Sequence, residues 1–73
     1  MARIEVKADV TGSVWKVFVK VGEWVDEGYQ VMILESMKME IPVIANDAGR
    51  VTELRVAEGD TVSEDQVVAI LEG

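Results

Sequence analysis

One lysine stands between two methionines, and a glutamate lies beyond each side: Glu35-Ser36-Met37-Lys38-Met39-Glu40. A lysine amine works as a catalytic nucleophile or base when burial lowers its pKa. The surroundings here point the other way, since neighbouring carboxylates favour the charged form. Lys38 therefore reads as a displayed amine with soft apolar neighbours rather than a buried catalytic one. Two plainer readings stand beside this. Most surface lysines are only solvated, and methionines commonly fill cores. Serine–lysine or paired-carboxylate chemistry stays formally open, but no constellation of residues supports it.

The elements that position this stretch are two apolar runs. Val31-Met32-Ile33-Leu34 leads in and Ile41-Pro42-Val43-Ile44 leads out. Two such runs around a short polar break predict a β-hairpin. Its tip would be Met37-Lys38. Two-residue hairpin turns prefer Asn-Gly, Asp-Gly or Gly-Gly, because both central residues need positive φ. A local rule broken at an exposed tip points to function. The turn would set Ser36 opposite Met39, Glu35 opposite Glu40 and Leu34 opposite Ile41. Opposed like charges weaken a sheet, so the glutamate pair is a second departure. Met39 would share a strand face with Ile41 and Val43, which gives it a partly structural role.

Composition bounds the rest. The chain has 73 residues, no cysteine, no histidine and a net charge of −7. That is one small domain, residues 1–73, without disulfides or Cys-based zinc. The lack of histidine removes His triads, His metal ligands and the usual general base. No catalytic residue and no metal site is expected. Fourteen acidic residues against seven basic ones argue against nucleic acid and equally against an anionic membrane; a basic protein partner is the natural complement. No apolar stretch reaches the length of a membrane span, and the N-terminus lacks a signal-peptide core. Absence of cysteine fits a cytoplasm.

The pattern along the chain predicts strands over 3–8, 13–20, 30–36, 39–45, 50–56 and 66–72, room for one short strand within the glycine-bracketed stretch 22–28, a short strand around 61–62, and no helix. Pro42 must sit where no ladder N–H is needed, such as an edge. A shift of 37 residues superimposes Gly12 on Gly49, Val14 on Val51, Val19 on Val56, Gly22 on Gly59, Val25 on Val62, Glu27 on Glu64, Val31 on Val68, Ile33 on Ile70, Leu34 on Leu71 and Glu35 on Glu72. These ten identities predict two similar halves, about 10–36 and 47–73, related by an approximate twofold. Positions apolar in both halves are the expected core: 14/51, 17/54, 19/56, 25/62, 31/68, 33/70 and 34/71. The spacing of Val14 and Val17 breaks period two and predicts a bulge. Trp15 aligns with Thr52 and Phe18 with Arg55, which places both aromatics on the outer face, as a stiffening patch or a partner contact. Gly22 and Gly59 suit turns with positive φ, and Gly28 aligns with Asp65. Lys38 pairs with Met1 under the shift, so the tip and the chain ends should lie at opposite ends of the domain.

Glu-Ser-Met-Lys-Met at the joint of a duplicated β domain resembles the biotinyl (biotin carboxyl carrier) domain of the biotinyl/lipoyl attachment family. The likeness covers nearly the whole chain and includes Gly12 and Gly49 before the paired strands, and Gly22-Glu23 and Gly59-Asp60 at the corners. It implies an all-β flattened sandwich or barrel of two four-stranded antiparallel sheets with a pseudo-twofold repeat. It implies that a biotin protein ligase joins biotin, through an activated adenylate, to Lys38. It assigns recognition around the lysine to Met37 and Met39; Glu35, Ser36 and Glu40 join them as expected recognition residues, the two glutamates by flanking Lys38 towards a basic ligase surface. The domain would then be a carrier rather than an enzyme, shuttling a carboxyl group between biotin carboxylase and carboxyltransferase components. Ser36 departs from the alanine common in the family. The thumb loop of some carriers and the usual Ala-Pro-rich linker are missing, so a minimal stand-alone form is expected. Two alternatives remain. A lipoyl carrier would take lipoate on Lys38, although lipoyl motifs usually have aspartate where Met37 stands. An unmodified acidic interaction domain would use Trp15 and Phe18.

Overall fold

The computed structural model describes residues 2–73. Met1, which the 37-residue shift sets opposite Lys38, lies outside the described residues. Eight strands follow one another: β1 Arg3–Lys7, β2 Gly12–Val17, β3 Trp24–Val25, β4 Gln30–Ser36, β5 Met39–Ile44, β6 Gly49–Leu54, β7 Thr61–Val62 and β8 Val67–Glu72. No described residue is helical, and no helix is long and apolar enough to cross a membrane. The strands form two four-stranded sheets with orders β1-β8-β6-β3 and β5-β4-β2-β7, paired antiparallel throughout.

The two sheets are related by the repeat. Each strand of one order has its 37-residue counterpart at the same place in the other: β5 with β1, β4 with β8, β2 with β6 and β7 with β3. β3 and β7 each leave their own half to extend the opposite sheet, so neither half has a complete sheet alone. The repeat also runs through the ends of the chain. Ile4, Val6 and Ala8 are the counterparts of Ile41, Val43 and Ala45, three identities beyond those from Gly12 onward. Burial follows the same symmetry, with Val6, Val43, Ala8 and Ala45 all closed off from solvent.

The expected bulge occurs twice, at Val14/Lys16 against β4 and at Val51/Glu53 against β8. One extra residue lets Val14 and Val17 both turn inward while Trp15 and Lys16 face out. The core holds Val14, Val19, Val25, Val31, Leu34 and their counterparts. Val17 and Leu54 only pack against its margin, and Ile33 is half-buried where core was expected. Met32 and Ala69 are fully buried. A register shift between Gln30 and Met32 explains Met32, because it turns Val31 and Met32 inward together. Pro42 lies on β5, an edge strand. The left-handed conformation appears at Gly22 (φ 99°) and Gly59 (φ 95°), and at the aligned pair Gly28 (φ 86°) and Asp65 (φ 70°).

The molecule measures 36 × 17 × 17 Å along its principal axes. β2 starts beside the β4–β5 tip, with Ser13 opposite Glu35. The chain then runs to Gly22, whose N–H donates to the Val51 carbonyl at 2.7 Å, near Gly49 and the chain ends. There the Gly73 N–H donates to the Ala2 carbonyl at 2.9 Å. The hairpin tip thus lies at one end of the body and the Ala2–Gly73 contact at the other.

Candidate functional site

The site is a pedestal with an exposed top. Its base is Leu34, fully buried and opposite Ile41. Above it Glu35 faces Glu40, and Ser36 faces Met39 as the last pair. Met37 and Lys38 make the turn with φ of 52° and 66°. Positive φ at both central residues is the type I′ geometry whose twist matches that of a hairpin. A methionine and a lysine therefore hold a conformation that costs an ordinary L residue about 1–2 kcal/mol.

Two contacts from outside the hairpin hold it in place. The Ser36 hydroxyl donates to the Thr11 carbonyl at 2.8 Å. Thr11 is itself tied down, since its Oγ1 accepts the Glu64 N–H at 3.1 Å. Gly12 lies against the same strand end. A Cβ there would collide with the Glu35 carbonyl oxygen and come within 3.2 Å of Ser36 Cβ. The bare glycine is what lets β2 and β4 close up beneath the tip. Gly49 plays the matching part against Glu72 and Leu71 at 3.1 Å. Gly12 was legible as one of the repeated glycines. Thr11 carried no signal, because its partner is 25 residues away.

Exposure rises steeply towards the top. Along one face of β5, Val43 is buried, Ile41 half-buried and Met39 63% exposed. Met39 thus belongs to the tip more than to the core. Met37 is 93% exposed. Lys38, Glu35 and Glu40 are exposed and Ser36 is half-buried. The ion pairs among the described residues are Arg3–Glu5 at 3.9 Å and Arg55–Glu53 at 3.2 Å, and Lys38 makes none. The glutamates are neighbours of Lys38 without clasping it. All six residues singled out in the sequence come together here. The amine is held on a rigid base, open to any protein that approaches end-on.

The family model for "Biotin-requiring enzyme" matches residues 4–71. The chain belongs to this biotin/lipoyl attachment family. Among relatives of this attachment domain is the biotin/lipoyl attachment protein of Bacillus subtilis, 48% identical over 63 residues that make up 86% of each chain. The biotin carboxyl carrier protein of Streptococcus mutans is 42% identical over 64 residues, and the matched part is 86% of this chain and 49% of that protein. The crystal structure of Kluyveromyces lactis urea carboxylase contains a similar fold, with a TM-score of 0.91 and 32% identity. That match takes in 99% of this attachment domain and 6% of the much longer enzyme chain.

Proposed function

We propose that this attachment domain is a biotin carrier, with biotin joined covalently to the Lys38 amine, and that it moves a carboxyl group between the active sites of a biotin-dependent carboxylase. The observation that carries the reading is an exposed lysine on a positive-φ turn at one end of a rigid domain. The residues present fit such a group, since Lys38 has no ion-pair partner among the described residues and no side chain covers the tip. When bound, biotin supplies a ring that accepts and releases a carboxyl group.

The chain's own part is attack and display. The neutral Lys38 nitrogen would attack the carboxyl carbon of the biotinyl adenylate, forming the amide as the acyl–phosphate bond breaks and AMP leaves, and the nitrogen gives up its proton. No neighbouring histidine or buried carboxylate is there to take that proton, so the base comes from the biotin protein ligase. Ser36, Gly12 and Leu34 then hold the hairpin still, while the lysine stem gives the loaded arm its reach. Tethering raises the local concentration of the arm at each site it visits. Met37 and Met39 present apolar thioethers to the ligase, and Glu35 and Glu40 an acidic rim. The domain is a carrier and catalyses no step itself. Its partners are the ligase and the biotin carboxylase and carboxyltransferase components, and its setting is the cytoplasm.

Relatives named for biotin support biotin over lipoate, as does Met37 in the place of the aspartate usual in lipoyl motifs. The shared name of the Bacillus subtilis relative keeps lipoate as the second reading. The test is incubation with purified biotin protein ligase, biotin and ATP, followed by intact mass. One biotinyl group on the parent and none on Lys38→Arg is the expected result. Arginine keeps the charge but offers no nucleophilic amine near neutral pH. A parent that stays unmodified refutes the reading.

A further inference from the structure

The pseudo-twofold makes the two sheets alike in their inner faces and unlike in their outer ones. On the β5-β4-β2-β7 sheet the outward residues include Trp15, Phe18, Pro42 and Ile44. The symmetry-related positions on the other sheet are Thr52, Arg55, Glu5 and Lys7. Trp15, Phe18 and Ile44 are 45%, 44% and 46% exposed. Half-buried Ile33 lies between Lys16 and Pro42 across the strands. At four of these five places the symmetry copy is polar, and only Ile33 keeps an apolar counterpart, Ile70; the exposed aromatic of the other sheet, Trp24, lies on its edge strand β3.

This face is continuous with the lysine hairpin. Glu35 and Glu40 stand on it at the tip end, and Ile44 lies six residues down β5 from Lys38, about 20 Å at the rise of a strand. We infer that this face docks against the biotin carboxylase component, through a protein surface with an apolar centre and a Lys/Arg rim near the tip. The inference rests on the carrier reading. Charge selects the occupant. A net charge of −7 and the paired glutamates repel both an anionic membrane and a second copy of this chain, while they complement a basic rim. Exposed Trp and Phe are the side chains that anchor such interfaces.

The test uses the biotinylated domain as substrate for a purified biotin carboxylase, with a purified biotin protein ligase as a separate probe. The variant is Trp15→Thr/Phe18→Gln/Ile44→Thr, and the control is Thr52→Ala/Arg55→Gln on the opposite sheet. Loading of each protein is measured first by intact mass, and folding by its urea midpoint. The face variant should load within about twofold of the parent and show a KM for carboxylation raised about tenfold or more, with kcat held. The control should match the parent. Equal KM for face variant and parent overturns the inference. So does slowed loading with unchanged KM, which would make the ligase the occupant, or a parent that sediments as a dimer dispersed by the variant. A parent that takes no biotin sinks the carrier reading and this inference with it. A parent that loads and turns over with no effect of the variant sinks the inference alone.

Discussion

Met37→Asn separates the conformational cost of the tip from its use. Met37 and Lys38 both hold positive φ, at 52° and 66°. That region costs an ordinary L residue about 1–2 kcal/mol, whereas asparagine enters it readily. Met37 is 93% exposed, so removing its side chain forfeits almost no buried surface. The expected balance is a gain of about 0.5–1 kcal/mol. For a domain of this size that raises Tm by about 2–8 °C. Urea and thermal melts followed by far-UV circular dichroism read the change, and the urea slope should match the parent. The ligase should load Met37→Asn more slowly, because an apolar thioether is gone from the approach to Lys38. Melting at or below the parent would refute the reasoning: either the turn is not strained at Met37 or its side chain makes a stabilising contact.

Gly12→Ala should destabilise by about 1–3 kcal/mol, the usual cost of overpacking, because the atom in the way is the Glu35 carbonyl oxygen and backbone cannot rotate aside. Gly49→Ala meets atoms at 3.1 Å and should lose less, and urea midpoints of the two compare them directly. Glu40→Lys should keep the fold, relieve the opposed pair with Glu35, and slow biotinylation at low salt, with the difference shrinking as salt screens the rim; equal initial rates at low salt would remove the electrostatic role. Met37→Asp should lower biotinylation and raise lipoylation at Lys38 when each ligase is supplied separately, since an unfavourable contact shifts specificity as much as a good one; unchanged biotin loading would show that position 37 does not encode the choice.

Much of this was readable in the chain because duplication exposes the core. Val14 and Val51, or Leu34 and Leu71, mark inward positions without any strand assignment. The poor turn chemistry of Met37-Lys38 located the tip, and the hairpin register followed from it. Alternation failed where the backbone departs from period two. The shift between Gln30 and Met32 buries two successive residues, and no pattern of types announces it. Strand ends also ran too far: β2 stops at Val17 although Phe18 still donates to Val31 at 2.9 Å. A comparison begun at Gly12 misses the kinship of β1 with β5, which is joined through the chain ends. Thr11 was invisible, since its carbonyl reaches Ser36 only once β2 and β4 pair. The acidic setting of Lys38 was legible, but contact with its glutamates was not formed. An exposed lysine gains little from one fixed surface ion pair.

The most direct test of the account is fragmentation mapping of the domain after saturating biotinylation. The chain has four lysines, Lys7, Lys16, Lys20 and Lys38, and all lie on the surface. One biotinyl group is expected, found only on the peptide that contains Lys38 and absent from Lys38→Arg. A biotinyl group on Lys7, Lys16 or Lys20, or one retained by Lys38→Arg, would contradict it.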